Sequence, residues 1–374
     1  MAVDAVQDHA VAQMSAAAEQ VTLTLGDFRL RVLAEKPHLL ESVVGMLVPA
    51  CAIEGPATDP QWSLVLDEHG SAETAGNSVS FDGRLVLGLP YGGRQLAVAG
   101  MSGGVMRVMG RYRPGAAPVV MEVDALRRTT RLRVAPGDAV GVRWADWLAR
   151  VFFASRLLAS GWRMLHASAV AVDGAALVFL ADRHGGKSTL AHRAVRELGA
   201  RFLADDLVLI GPGGMVVGWP TRIAVPAELA AGGGRRQRTV VDGVARDRIL
   251  YTPAQHRAAL GIAYALPVPL GSAVLVEGAG AAAGSSRAHR AEIAAVHHAV
   301  TRAADIAEQL LYVSDPLGLM GGPRLAEQAA AGRELDGLLR QVPVAALRVA
   351  LGQLPTAPVW QALNGVIPQL GNLR

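Results

Sequence analysis

Residues 162–210 read WRMLHASAVAVDGAALVFLADRHGGKSTLAHRAVRELGARFLADDLVLI. Two apolar strands come first, split by a turn at Asp173 and Gly174. The second strand, Ala175–Leu180, runs into the loop 181–189. A helix follows, because Leu190, Ala194, Val195 and Leu198 recur about one turn apart, and Gly199 is placed to stop it. A third apolar strand then carries Asp205 and Asp206.

The loop has the chemistry of a phosphate cradle. Successive backbone N–H groups opening a helix favour an anion. Gly185 and Gly186 let the backbone come close to a phosphate, and Arg183, His184 and Thr189 flank that approach. Lys187 has the reach for β- and γ-phosphates, and the Ser188 hydroxyl is a Mg²⁺ ligand by type. The first glycine of the pattern G-x-x-x-x-G-K-[ST] is Ala181 here. The competing explanation is a chance match in a surface turn. Three features weigh against it. The loop lies between a strand and a helix, as a phosphate loop requires. A double aspartate follows on the next strand. Of the 36 basic residues only Lys36 and Lys187 are lysine. A planar arginine fork does not replace a compact ammonium between phosphates.

His166 with its strand, the loop and Asp205-Asp206 together resemble the C-terminal catalytic domain of HPr kinase/phosphorylase. They are more similar still to the stand-alone kinases related to it, some of which act in peptide natural-product pathways. The resemblance covers about residues 160–225; His166 stands 21 residues before Lys187 and Asp205 stands 18 after it. It implies an α/β fold with a P-loop kinase core of HPr-kinase type, a mixed sheet flanked by helices. It also implies ATP and Mg²⁺ as cofactors. On this basis Asp205 is the base for an acceptor hydroxyl, Asp206 and Ser188 hold Mg²⁺, and His166 lies beside the transferred phosphate with Lys187. The acceptor implied is a Ser or Thr hydroxyl of a peptide or small protein. Relatives form rings, so a homo-oligomer is allowed.

The residues leave alternatives open. A lone histidine in an apolar strand is ordinarily a satisfied core residue. Two carboxylates in an apolar run cost several kcal/mol unless paired or metal-bound, unless they lie in a solvated turn between two short strands. A close pair should have separated pKa values, which suits one base and one ligand. Arg183 either contacts the γ-phosphate or is simply solvent-exposed, and His184 is incidental or useful. Ala181 with the unusual Asp182, Arg183 and His184 motivates a second class of function: a nucleotide- or peptide-binding accessory protein with impaired catalysis.

The 374 residues suffice for one large domain or two ordinary ones, and with 51% apolar and 18% charged residues the chain is globular. A net charge of +4 without a Lys/Arg block argues against nucleic acid. Cys51, the single cysteine, excludes an internal disulfide and a cysteine-cluster zinc site. Residues 1–20 read as a flexible tail, neither signal nor transit peptide. No apolar run reaches the ~18 residues of a spanning helix. A cytoplasmic protein with no membrane partner is expected.

Residues 21–145 read as a β-rich N-terminal domain, with alternating runs at Val21, Phe28, Trp62, Ser78, Arg84, Gln95, Gly104, Val119 and Thr130. It carries no catalytic cluster and would serve substrate capture, oligomer contact or scaffolding. Residues 146–374 form the expected catalytic domain, led by an apolar-faced helix over 144–160. Beyond the core, a strand pair surrounds Pro220. The glycine-rich basic stretch 231–238 is a lid carrying Arg235 and Arg236, or a solvated loop; Arg246 and Arg248 compete for the same phosphate role. Thr252 starts a helix, 272–277 is a strand and 278–286 a linker. Helices span 291–311 and 325–342, 344–351 returns as a strand, and the last twenty residues carry no signal.

Overall fold

The protein, seen in a computed structural model, is described over residues 20–55, 59–68, 86–88, 94–113, 116, 118–182, 184–241, 244–277, 286–310, 315, 317–322, 335, 337, 339–349 and 356–370. It is a mixed α/β chain that divides into two compact units. One comprises Met1–Ser160 with Gln309–Ala326, the other Gly161–Glu308 with Glu327–Arg374.

In the first unit the strands are β1 (Gln20–Leu25), β2 (Phe28–Ala34), β3 (Ala52–Glu54), β4 (Trp62–Glu68), β5 (Val86–Gly88), β6 (Gln95–Ser102), β7 (Val105–Arg111), β8 (Val119–Asp124) and β9 (Thr129–Val134). They form one sheet in the order β3-β1-β2-β4-β9-β8-β7-β6-β5. Alternation sets the register. In β8, Val119, Met121 and Val123 are buried while Val120, Glu122 and Asp124 are half-exposed. Helices α1 (Pro37–Leu47) and α2 (Arg143–Ala159) pack on β2, and α2 also on β4. Neither α1 nor β3 was anticipated, although Leu39, Leu40, Val43, Val44 and Leu47 repeat at helical spacing.

The expected domain boundary shifts. Helix α2 belongs to the first unit rather than leading the second, and it is buried on every side, from Trp144 through Phe152 and Phe153 to Leu157. The unit also recruits a later segment. The Thr130 hydroxyl bonds the Leu319 carbonyl, and Arg156 donates to the Met320 carbonyl at 3.0 Å. The tail 1–20, the strand expected at Ser78 and the linker 278–286 lie outside the described residues, apart from Gln20 and Ser286.

The second unit holds β10 (Arg163–Leu165), β11 (Ser168–Val172), β12 (Ala175–Leu180), helix α3 (Lys187–Leu198), β13 (Arg201–Ala204), β14 (Val208–Ile210), β15 (Met215–Gly218), β16 (Ile223–Pro226), β17 (Arg235–Val241), β18 (Val244–Tyr251), helix α4 (Pro253–Leu260), β19 (Val268–Glu277), β20 (Arg287–Arg290), helix α5 (Ile293–Leu310), β21 (Val344–Arg348) and helix α6 (Thr356–Asn364). The main sheet runs β10-β14-β15-β19-β12-β11-β13, with β21 on β19 and β20 on β21. The pairs β12–β19 and β19–β21 are parallel, the rest antiparallel. The Asp173-Gly174 turn joins β11 to β12 with φ of 49° and 78°, the pair of positive values that a tight hairpin needs.

Burial on both faces explains the unbroken apolar runs. Val170, Val172, Leu177 and Phe179 point into a core with Leu190 and Ala194 of α3 and Trp360 of α6. Ala169, Ala171, Val178 and Leu180 point the other way, onto Val296, Val300 and Ala303 of α5. Sheet and helices thus make three layers.

Four local expectations change. His166 lies in a bend between β10 and β11, not inside a strand. Asp205 and Asp206 occupy the break between β13 and β14, which pair with different neighbours. The basic stretch after Gly234 is β17, zipped onto β18 in a small sheet of order β16-β18-β17. The last twenty residues contain α6, anchored by buried Val359, Trp360 and Leu363. The helix expected over 325–342 falls largely outside the described residues, of which Leu335, Gly337 and Leu339 are helical.

Candidate functional site

The loop between β12 and α3 closes on the lysine. Lys187 is 5% exposed, and its ammonium donates to the Ala181 and Asp182 carbonyls, both at 3.0 Å. The Gly185 amide returns to the Asp182 carbonyl at 3.0 Å. His184 and Gly186 hold φ of 63° and 91°, the left-handed values that reverse the backbone here. A Cβ on Gly185 would stand 2.7 Å from Ala181 Cβ and 3.0 Å from the Asp182 carbonyl. The methyl of Ala181, where the motif has glycine, therefore has room because residue 185 has none. Gly186 caps α3, whose first turn presents Lys187, Ser188 and Thr189; Thr189 and Ser188 are half-buried and His184 is exposed. Arg183 lies outside the described residues. Asp182 pairs with Arg302 of α5 at 3.0 Å, on a surface where such a pair adds little.

The two aspartates differ sharply. Asp205 is 4% exposed; its Oδ2 accepts the Ala224 amide of β16 at 2.8 Å, and its Oδ1 is buried without a hydrogen-bond partner among the described residues. Its carbonyl accepts the Ser168 hydroxyl and, at a long 3.4 Å, the Ser188 hydroxyl. Asp206 is half-exposed, and His166 Nε2 stands 3.1 Å from its Oδ1. His166 is itself buried, held by its amide on the Ala303 carbonyl at 2.8 Å, and its Nδ1, like Asp205 Oδ1, is buried without a hydrogen-bond partner among the described residues.

Ala224 carries a further link. Its amide goes to Asp205 and its carbonyl accepts the Arg248 guanidinium at 3.3 Å. An antiparallel residue turns its amide and carbonyl to the same edge. Arg248, on β18, therefore reaches across β16 to the edge where Asp205 sits. Arg236 is instead paired with Asp247 at 2.6 Å within the small sheet, so the lid carrying Arg235 and Arg236 gives way to a strand.

No protein-family model matches the chain. No curated protein matches it either.

The site thus rests on its own geometry. It gathers Lys187, Ser188, Asp205, Asp206 and His166 at the end of β12 where α3 begins. A surface recess lined by Asp173, Leu198, Arg201 and Leu266 lies at the other end of β12, and none of these predicted residues lines it. Ser168, Ala224 and His192 were not singled out from sequence. Ser168 is a hydroxyl in an otherwise Ala/Val strand, and His192 follows Ser188 by four positions, so a polar-in-apolar search and helical spacing would have found them. No described helix is long and apolar enough to cross a membrane, and no group of three or more His, Cys, Asp or Glu among the described residues is placed to hold a metal ion.

Proposed function

We propose that the chain is an HPr-kinase-like, ATP-dependent kinase that phosphorylates a Ser or Thr hydroxyl of a peptide or small protein. One observation carries this reading: a strand-to-helix loop whose two carbonyls hold a buried ammonium, and whose next residue, Ser188, reaches the backbone of Asp205, a buried carboxylate with one oxygen unclaimed among the described residues. An orphaned carboxylate oxygen in a buried site costs free energy and implies a missing partner. The donor set also suits the expected cofactors. Loop amides, the helix head and Lys187 fit phosphates, and the hard oxygens of Ser188 and Asp206 fit Mg²⁺, which needs only one or two protein ligands when phosphates supply others.

Bound Mg–ATP would supply the phosphoryl group. Lys187 then exchanges loop carbonyls for phosphate oxygens. Asp205 Oδ1 takes the proton of the acceptor hydroxyl, while the Ala224 amide keeps Oδ2 in place. His166 donates from Nε2 to Asp206 and orients it. Arg248 brings a cation to the same edge as Asp205, which favours it over Arg235 and Arg236 for offsetting developing charge. The chain acts by positioning and electrostatics. The choice of a peptide acceptor, with peptide natural-product tailoring as its setting, follows from the family resemblance. The test is Mg–ATP turnover against Ser- and Thr-containing peptides and small proteins; binding without transfer to any of them would overturn the kinase reading.

A second reading is an accessory protein that binds nucleotide or peptide without turnover. The hold of His166 on Asp206, a carboxylate needed for metal, favours it. Measuring ATP affinity and phosphoryl transfer separately distinguishes the two.

A further inference from the structure

Behind the loop, three hydrogen bonds run away from α3 through the core. His192 sets its Nδ1 2.7 Å from the Ser188 carbonyl, one turn back on the helix. Its Nε2 lies 3.1 Å from Nε2 of His256 on α4. The Nδ1 of His256 lies 2.8 Å from the Tyr264 hydroxyl. His192 and His256 are buried, and Phe202 packs against all three rings, with centroids 5.2, 4.9 and 5.1 Å away.

Only one order of protons keeps both imidazoles uncharged. A carbonyl only accepts, so His192 carries its proton on Nδ1 and offers a lone pair at Nε2. His256 must then donate from Nε2, which leaves its Nδ1 to accept from Tyr264 O–H. Burial pushes both histidines toward the neutral form, His256 down to about 3. For His192, the Asp205 charge and the Ser188 carbonyl oppose that push and Arg248 reinforces it.

The chain of bonds spans the pieces of the site. Phe202 of β13, three residues before Asp205, exchanges backbone bonds with Ala263 and Ala265 on either side of Tyr264, both at 2.8 Å. Helix α4 directly follows β18, which bears Arg248. We propose that His192, His256 and Tyr264 are positioning residues that lock the first turn of α3, and with it Lys187 and Ser188, against the strand that delivers Asp205. The functional part of this proposal rests on the phosphate-loop reading above; the lock itself does not.

The test compares Tyr264→Phe with Tyr251→Phe. Each removes one hydroxyl and keeps its ring; the Tyr251 hydroxyl bonds the Ala231 carbonyl and lies outside the relay. In the parent, nitrogen-15 spectra at neutral pH should show His192 protonated at Nδ1 and His256 at Nε2. Tyr264→Phe frees His256 to exchange tautomers, and amide exchange at Leu190, whose N–H donates to the Gly186 carbonyl at 2.9 Å, should rise about fivefold, the equivalent of one neutral hydrogen bond, while Tyr251→Phe leaves it unchanged. Mg–ATP affinity should fall by a similar factor in Tyr264→Phe alone. Equal exchange in the two variants would overturn the lock. A parent that binds no Mg–ATP would overturn the phosphate-loop reading instead, with the exchange data still deciding the lock.

Discussion

His166 reaches Asp206 and not its neighbour: Nε2 stands 3.1 Å from Asp206 Oδ1, while Asp205 gives its Oδ2 to the Ala224 amide. Adjacent carboxylates in a chain break point in different directions, and here the two acquire different surroundings. Asp206 is half-exposed with an imidazole partner, whereas Asp205 is buried with one oxygen unclaimed. On the kinase reading proposed above, this division suits proton transfer by Asp205 and metal holding by Asp206.

Asp205→Asn removes the proton acceptor and keeps an oxygen for the Ala224 amide. Phosphoryl transfer should fall by about 10²–10⁴-fold, with Mg–ATP affinity within a few-fold of the parent. Single-turnover transfer and a nucleotide titration check this; transfer at the parent rate would end the assignment of Asp205 as base.

Lys187→Arg keeps the charge and should still fail. The two loop carbonyls at 3.0 Å bind a compact ammonium, and a planar guanidinium does not fit that ring. Nucleotide affinity should drop tenfold or more, about 1.4 kcal/mol. Titration with a fluorescent ATP analogue reads this, and undiminished affinity would show that the ammonium is not in the binding path.

Gly185→Ala places a methyl 2.7 Å from Ala181 Cβ and 3.0 Å from the Asp182 carbonyl. The loop must open, at a cost on the order of 1–3 kcal/mol in stability or nucleotide binding. Adding Ala181→Gly removes one of the two clashes and should recover part of the loss. A double-mutant cycle with no coupling between the two sites would contradict the contact.

Stability should decline on acidification below about pH 6.5. Burial holds His256 down to about 3, so between these values the unfolded chain binds a proton that the folded one refuses. Stability is therefore complete above pH 6.5 and is lost at up to about 1.4 kcal/mol per pH unit as pH falls toward 3. His192, also depressed by burial, acts in the same direction. Urea midpoints between pH 7.5 and 4.5 measure the slope, and His256→Gln should flatten it; an unchanged slope would locate the dependence elsewhere.

Much of the architecture is legible in the sequence. The Asp173-Gly174 hairpin, β12, the helix after the loop with its stop at Gly199 and most strands of the first unit follow from local rules; the helix itself begins earlier, at Lys187 inside the expected loop. Turn residues, two- and 3.6-residue periodicities and a left-handed glycine act over a few positions, so a linear reading finds them. The lysine in the loop was legible for the same reason, since strand, glycines and helix head are consecutive.

The partners of the site were not legible, because they come from positions distant in sequence and converge only on folding. Nothing local ties Ala224 to Asp205, His166 to Asp206 or His192 to His256. Nor does composition distinguish a glycine-rich basic loop from β17, which is a strand because β18 supplies its hydrogen bonds. The first unit likewise captures α2 through buried area, and Leu319 and Met320 through hydrogen bonds to Thr130 and Arg156, rather than through sequence order. The sequence by itself determined the strand–loop–helix and the place of Lys187 in it, because each of its parts is specified by neighbours along the chain. Only the tertiary structure decided which carboxylate is buried and which is bound by histidine, because burial and pairing depend on the strands and helices packed around them.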